Sequence, residues 1–452
     1  MSLTGESVKK LDGFGVYEAV LQKLSVAGLF LFVFFAWLGT AGSYLGLLFL
    51  TLAFVASIPL YWKRFRQDKV LILSAVFLIY LAGRTLWAVY EFPENSQAHI
   101  DDALEWLYLW IFVPLAWSLK LLQNKYRIAL LVLAGGFALA VMRHTNWQVC
   151  DVFDSAARCG FGFQSILGAL LLASCLLGLL VFAPRLIGEK HSGWLFGMRL
   201  ILWLAVVAIA AEFVILTQTR IVWLAFVLIV PLLLCLRYRN EIVALWRSRR
   251  VVSLVLVILV ATLLFGVVKT NEAIFDERVA QFKEDSFALM TLQFDEIEAD
   301  NPSFAIRVAM NRQGFVRWLE RPWFGWGSGG ISREQFFSDE AELTRHTPHF
   351  HNTYLEFMLR FGLVGGAIFL FLVWHLFSGL HTAGRQQKVD KDIYFFLMGM
   401  SSLLAVWCLA DFQLSSTNWR FFFCVVFGFA YSIIIGVEET QEKRALPQAV
   451  YK

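Results

Sequence analysis

Charge is scarce in this chain. Only 16% of its 452 residues are Asp, Glu, Lys or Arg, 58% are hydrophobic, and the mean hydropathy is +0.63. A soluble domain runs at about 25% charged and about 45–50% apolar, so a water-soluble fold is excluded and an all-α polytopic membrane protein is expected. A strong net charge is lacking too: the formal balance is +4, which gives no basis for nucleic acid as a partner. No internal repeat is visible, and no cleavable signal peptide. Residues 1–24 are polar to amphipathic, and the first apolar run is long enough to act as its own insertion signal. Cysteine is sparse: of six, Cys175, Cys235, Cys408 and Cys424 fall inside apolar runs and read as small apolar residues. What is abundant is aromatic. The 17 Trp and 43 Phe suit interfacial belts and grooves that hold acyl chains.

Apolar runs near the roughly 20 residues that cross a bilayer predict about twelve transmembrane helices. They lie at about 25–40, 44–62, 70–90, 104–122, 126–143, 161–183, 195–217, 221–238, 251–269, 354–379, 393–412 and 419–437. Basic residues cluster in alternate connections, at 63–69, 120–127, 185–199, 237–250 and 385–391, and in both tails. The third connection carries Glu91, Glu94, Asp101, Asp102 and Glu105 instead. The positive-inside rule then puts both termini in the cytoplasm and the long segment 270–353 outside. Three parts result: helices one to nine over 1–269, a periplasmic loop or cap over 270–353, and helices ten to twelve with a cytoplasmic tail over 354–452.

Cys150 and Cys159 share an outward connection. An oxidising compartment would allow them to bridge, and sequence alone leaves that open. At about 80 residues the outward segment is too long for a connector. Phe304, Val308, Phe315, Trp318 and Leu319 give residues 303–320 one apolar helical side, with Arg307, Asn311 and Gly314 on a neighbouring stripe. Pro322 ends that helix. The run from Gly325 to Gly330 is a flexible turn whose amides could line an anion site. A small, mainly helical cap over the outward membrane face is expected.

His351-Asn352 follows at the point where this loop re-enters an apolar helix, and nine residues later comes Gly362-Leu363-Val364-Gly365. An imidazole there can move a proton near neutral pH. The Gly-x-x-Gly spacing puts both glycines on one helix face, where another helix or a lipid chain can approach. His346 and His349 lie close by, so three imidazoles fall within six residues. Zinc is an alternative for them, but no Cys or well-placed carboxylate joins them in sequence.

Three elements occur in order: the Gln218-Thr219-Arg220 turn at an outward span end, Pro322-Trp323-Phe324-Gly325-Trp326-Gly327-Ser328-Gly329 in the loop, and His351-Asn352 with its two glycines. Together they resemble the bacterial O-antigen ligase family, whose superfamily includes O-antigen polymerases and protein-O-oligosaccharyltransferases. The resemblance covers roughly residues 200–375. It implies a GT-C-like glycosyltransferase of the bacterial inner membrane with a periplasmic active site. Such an enzyme takes a glycan from undecaprenyl pyrophosphate and attaches it to a sugar hydroxyl of lipid A–core, with inversion and without metal or other cofactor. Its partners are the lipid-linked glycan, lipid A–core and membrane lipids. The family's functional His and two Arg fall on His351, Arg220 and Arg307. Arg312 and Arg317 lie close enough in sequence to compete for the last role.

Elementary chemistry agrees. A glycosyl pyrophosphate carries its own leaving group, so the enzyme must neutralise growing phosphate charge and deprotonate a hydroxyl. Guanidinium groups bind phosphate oxygens bidentately and stay charged, and a His near neutral pH can act as base. Asn352 is expected to orient the imidazole or the acceptor sugar, His349 and Arg312 to contact substrate, and Gly362 and Gly365 to border the carrier chain. Arg84, in the outer part of the third span, is a further phosphate candidate. Glu212 is expected to pair with an arginine, and Arg360 and Asp411 are costly charges at membrane depth. Arg143, His144 and Arg158 either meet core phosphates of the acceptor or only solubilise their loop. Each residue also has a plain structural alternative: snorkelling for Arg220, a solvated helix charge for Arg307, a helix-start polar group for His351. The rival functions are an O-antigen polymerase with the same donor and a transporter of lipid-linked glycan. A transporter would show interrupted helices, inverted repeats and midplane charges.

Overall fold

The computed structural model describes residues 5–121, 126–148, 150, 158–188, 193–248, 269–291, 302–329 and 349–449, with a few positions between 254 and 266. Every regular element among them is helical. Nine of the described helices are long and apolar enough to cross a membrane, and the chain is a polytopic all-α membrane protein. Two more of the expected spans, over 161–183 and 393–412, are helices of only 17 residues, Ser165–Val181 and Lys391–Trp407. Most of the expected span at 251–269, like Gly330 and His346, lies outside the described residues.

The chain divides into two units. The first comprises residues 1–143, 364–390 and 413–452. It contains α1 (Gly5–Phe35), α2 (Thr40–Phe65), α3 (Lys69–Glu91), α4 (Ser96–Leu107), α5 (Phe112–Leu121) and most of α6 (Tyr126–His144). Between α4 and α5 a 3₁₀ turn, Tyr108–Ile111, tightens the backbone. Small residues let α1 and α2 touch: a Cβ on Gly46 would lie 2.5 Å from the Phe32 nitrogen, the kind of contact apolar helices use in lipid. Asp68 caps α3 by accepting from the Val70 and Leu71 amides and also takes the buried Tyr431 hydroxyl at 2.6 Å.

The second unit comprises residues 144–363 and 391–412. It holds α7 (Ser165–Val181), α8 (Ala183–Ile187), α9 (Gly193–Leu216), α10 (Arg220–Arg237), α11 (Arg239–Ser248), α12 (Glu272–Thr291) and α13 (Pro302–Glu320). The start of α14 (Thr353–Arg385) and α15 (Lys391–Trp407) complete it. The last helix, α16 (Thr417–Ala449), belongs to the first unit. Faces of α9 and α10 rich in Ile201, Leu202, Val227 and Leu232 are exposed, as expected of helices that meet lipid. One end of this unit is knit by polar contacts. The Trp407 indole donates to the Ile166 carbonyl at 3.1 Å, Thr353 N–H to Cys408 at 2.8 Å, and Cys159 N–H to Leu216 at 3.0 Å. That end brings together the start of α7, the α9–α10 turn, the start of α14 and the end of α15. All of these were expected on the outward side.

Candidate active site

The α9–α10 turn is Thr217-Gln218-Thr219. Gln218 takes a left-handed backbone, φ +49°, so the chain reverses within three residues and Arg220 opens α10. The Thr217 and Thr219 side chains are buried and spend their hydroxyls on the backbone: Thr217 donates to Val214 at 2.7 Å and Thr219 is 3.1 Å from the Thr217 carbonyl. Two further arginines fasten to this turn. Arg158 donates from Nε to the Thr217 carbonyl at 3.0 Å and from a terminal nitrogen to Thr219 Oγ1 at 3.2 Å. Arg278 donates to Gln218 Oε1 at 2.6 Å. Cys150 and Cys159 form a disulfide that pins the residue following Arg158. Helix α12 is held over the same hairpin by Asn271, which donates to Glu212 at 3.2 Å, and by the Trp223–Phe275 ring pair at 5.3 Å. The arginine expected for Glu212 is thus replaced by an amide from the loop, which satisfies the carboxylate without a second charge.

Arg307 is placed by packing. One turn on, Met310 is fully buried against Phe350 and Leu359, with Trp318, Trp326 and Leu355 around them. Gly314 admits this contact, since a Cβ there would meet Leu355 and Phe350 at 2.8 and 3.0 Å. The following turn docks on α14 through its backbone. Trp326 and Gly327 N–H groups donate to Leu359 and Arg360 carbonyls at 2.7 and 2.9 Å, and Leu363 N–H donates to Pro322 at 2.8 Å. Here the expectation that Gly362 and Gly365 share one face of an unbroken helix fails. Gly362 is non-helical at φ +62°, and a Cβ on it would lie 2.4 Å from the Trp323 carbonyl. Only glycine tolerates both that backbone and that proximity. The approach foreseen at Gly362 is made by the chain itself. Gly365 is also buried, but in the first unit, where its backbone meets the Tyr80 hydroxyl.

His351 sits just before α14 in a left-handed conformation, φ +51°. Asn352 caps that helix, its Oδ1 accepting from Tyr354 and Leu355 N–H at 3.1 and 3.2 Å, so its oxygen is committed to the helix start. Glu356 accepts from Phe350 N–H at 2.8 Å and from Arg360 Nε at 3.0 Å. Arg360 in turn donates to the Ser328 carbonyl and lies over the Phe412 ring at 5.4 Å. The costly charge of Arg360 is therefore a buried ion pair that fixes the loop carrying His351. The other costly charge, Asp411, meets His351 itself: its Oδ1 lies 3.1 Å from Nδ1. The carboxylate is wholly buried while the imidazole keeps a 19% exposed face. Asp411 is held by the Phe412 N–H at 2.9 Å, and its carbonyl takes the Thr353 hydroxyl at 2.6 Å.

Electrostatics ties these pieces together. Arg278, Arg307 and Arg220 all act on Arg158, Arg220 acts on Arg307, and Asp411 opposes them at both. Although Arg158 as a residue is exposed, lost hydration around its guanidinium lowers its pKa first, and Arg278, Arg307 and Arg220 lower it further. Arg307 is lowered by burial, with Asp411 opposing and Arg220 adding to the fall. Both remain cations, because a guanidinium starts far above neutral. His349 is pushed down to about 4, by burial first and then by neighbouring His351. It is therefore neutral at pH 7, and its Nδ1 accepts from His351 N–H at 3.3 Å.

His349, His351 and Asp411 each present a donor atom, all within 4.8 Å of one another. The carboxylate missing from the local sequence thus arrives from 60 residues away, and the trio has the donor chemistry of a metal site. Its surroundings oppose a dication: Arg307 and Arg360 both act on His349, and like charges repel strongly away from bulk water.

Comparison with known families bears on this region directly. Residues 204–370 match the O-antigen ligase family. This segment is an O-antigen ligase domain. It carries Arg220, Arg278, Arg307, His349 and His351; Arg158 and Asp411 lie outside its limits. No curated protein matches the chain.

Within the O-antigen ligase domain Arg312 is exposed on α13, apart from the buried stripe. Arg84 is buried on α3 in the first unit, beside Tyr80. Arg143 and His144 are exposed. Arg278 escaped the sequence reading altogether. It lies on a polar helix with no strong periodicity, next to Glu277, and nothing local distinguishes it from a solvated charge.

Proposed function

We propose that the chain is an O-antigen ligase of the bacterial inner membrane, with its active site on the periplasmic face and both termini cytoplasmic. It transfers glycan from undecaprenyl pyrophosphate to a sugar hydroxyl of lipid A–core. The observation that carries this is the His351–Asp411 pair standing beside an arginine cluster, with His351, Arg220 and Arg307 inside the segment that matches the O-antigen ligase family. Asp411 accepts the Nδ1 proton, which leaves the Nε2 lone pair of His351 to take a proton from the acceptor. The acceptor oxygen then attacks the anomeric carbon from the side opposite the leaving group. The bond from that carbon to the phosphate oxygen breaks, and its electron pair departs with the diphosphate. The diphosphate diester becomes a monoester and gains one negative charge. Arg220 and Arg307 meet that charge, and fixed cations in a partly dry site are effective at this. His351 becomes an imidazolium facing Asp411 and passes its proton to solvent.

The test is reconstitution. Purified protein is mixed with undecaprenyl-pyrophosphate glycan and lipid A–core in the presence of EDTA. Glycan on lipid A–core, lost in His351→Ala and Arg220→Ala, is the expected result. Arg220→Lys should also be impaired, because a point charge does not replace a fork. Longer glycan on the carrier with the core untouched would make the protein a polymerase instead. No product with either acceptor from folded protein would favour transport. Activity abolished by EDTA and restored by zinc would replace the base reading of His351 with metal ligation.

A further inference from the structure

The first unit encloses a cavity between α1, α2 and α5. Glu18 and Ser25 line it from α1, Tyr61 from α2, and Trp117, Ser118 and Lys120 from α5. It adjoins the basic connections 63–69 and 120–127, which the positive-inside rule puts in the cytoplasm. That is the headgroup level of the inner leaflet. Pro59 removes a helical hydrogen bond from α2, and the backbone leaves helical geometry at Tyr61, φ −112° and ψ 17°. The Trp117 ring is fixed by Phe65, edge-on at 4.5 Å. Several polar groups here are buried without partners. Ser25 and Ser118 are 7% and 2% exposed, and neither hydroxyl has a hydrogen-bond partner among the described residues. The buried Trp117 indole N–H has no acceptor either. Unsatisfied buried groups are rare and call for an explanation. Two charges face the same space. Glu18 accepts from the Tyr61 hydroxyl at 2.9 Å and forms no ion pair among the described residues. The Lys120 ammonium lies over the Tyr61 and Trp117 rings at 5.9 and 5.1 Å. An anion and a cation thus flank one cavity, with the Tyr61 ring between them.

We propose that this cavity binds the phosphoethanolamine headgroup of an inner-leaflet phospholipid. The site uses no residue of the second unit and is independent of the glycosyl-transfer reading. Phosphate oxygens only accept hydrogen bonds, and Lys120, the Trp117 N–H and the Ser25 and Ser118 hydroxyls are all able to donate. Arg64 lies over the same Trp117 ring at 5.3 Å and adds positive potential on that side. The ligand's ammonium donates to Glu18, which the Tyr61 hydroxyl already holds in place. A purely anionic headgroup would leave Glu18 without a cation and set a like charge near it. A trimethylammonium headgroup has no N–H to give. The rest of the wall is apolar, with Leu21, Leu60 and Leu121, and suits the start of the acyl chains. The enclosed space is about 40 Å³, in a measure by which one water needs about 10–15 Å³. It exceeds a single water and admits the polar end of a lipid, whose chains stay in the bilayer.

The test is native mass spectrometry of the full-length protein with four probes: dioleoyl phosphatidylethanolamine, phosphatidylglycerol and phosphatidylcholine, and free phosphoethanolamine. The wild type is expected to hold phosphatidylethanolamine more tightly than the other three. Glu18→Gln keeps the shape and an acceptor for Tyr61, and should lower the preference for phosphatidylethanolamine over phosphatidylglycerol about 10-fold, the loss of a hydrogen bond to a charged group. Lys120→Gln removes the phosphate's cation and should weaken both lipids together. Lipid bound around the outside of the protein meets wild type and variants alike, so the difference between them reports the cavity. Arg317→Gln, on α13 in the second unit, should change nothing. Ser25→Leu fills the cavity and should abolish the preference; should it misfold, the two near-isosteric charge variants still decide. No preference in the wild type, or an unchanged preference in Glu18→Gln, overturns the proposal. Tighter binding of phosphatidylglycerol, lost in Lys120→Gln alone, would replace the zwitterion with an anionic lipid. Free phosphoethanolamine bound as tightly as the lipid would make the ligand a soluble metabolite and overturn the membrane source.

Discussion

Asp411→Asn is the sharpest perturbation of the proposed chemistry, because it changes one atom and little shape. The carboxylate is fully buried and lies 3.1 Å from His351 Nδ1. At an effective dielectric of about 20, full charges at that separation attract by about 5 kcal/mol. About 2 kcal/mol of this is already present when the ring is neutral, as a hydrogen bond to a charged acceptor. The remaining 3 kcal/mol or so appears only as the imidazolium forms, which corresponds to about 10²-fold in rate. The amide carbonyl can keep both hydrogen bonds made by Oδ1, from Phe412 N–H and His351 Nδ1–H, so the loss is that of the charge. The turnover of Asp411→Asn should therefore fall by about 10², with carrier binding almost unchanged, since the arginines are intact. Single-turnover transfer in proteoliposomes, with undecaprenyl pyrophosphate affinity measured in parallel, checks both. Turnover within tenfold of wild type, in folded protein, would refute the dyad as the proton acceptor.

Gly362→Ala should destabilise by at least about 2 kcal/mol, from the left-handed backbone alone, with the collision at the Trp323 carbonyl adding to it; thermal unfolding in detergent checks this. Arg360→Met leaves Glu356 buried without its cation, at a cost of about 3–5 kcal/mol. Adding Glu356→Gln should restore much of the loss, and a double variant no better than the single would show that the pair is not the source. His349, held near 4 in the folded chain against an ordinary 6.5, stays neutral while the unfolded chain binds a proton. Stability should thus fall as pH drops from about 6.5 to about 4, by on the order of 3 kcal/mol at about 1.36 kcal/mol per unit. His349→Gln should shrink the difference in melting temperature between pH 7.5 and pH 5, and an unaltered difference would assign the acid sensitivity elsewhere.

The membrane-spanning pattern was legible because bilayer thickness fixes the length of an apolar run, and a mean over twenty residues is robust to detail. Boundaries were not. The first helix runs well upstream of its apolar stretch, and α7 and α15 are only 17 residues long although the apolar character continues past their ends, into Phe182 and into Cys408-Leu409-Ala410. At the site, His351, Arg220 and Arg307 stood out as polar groups in a recognisable order. Asp411 stood out only as a charge at a span end; its partner lies 60 residues away in sequence, and no local pattern encodes such a pairing. Arg278 gave no signal. Gly362 misled because Gly-x-x-Gly spacing presupposes a continuous helix, whereas its left-handed break serves a turn from another segment. The glycines at 325 and 327 were the available hint that a second backbone needed room.

Two residues at the heart of the site, Gln218 and His351, occupy backbone conformations that favour glycine, each at about 1–2 kcal/mol. Directed evolution that rewards heat resistance alone would push both positions toward glycine. The first change would release Arg278 and the second would delete the proposed base, so the most robust descendants of this chain would also be its least active. A deep mutational scan scored twice, once for folding and once for transfer, should show positions 218 and 351 moving in opposite directions on the two scales.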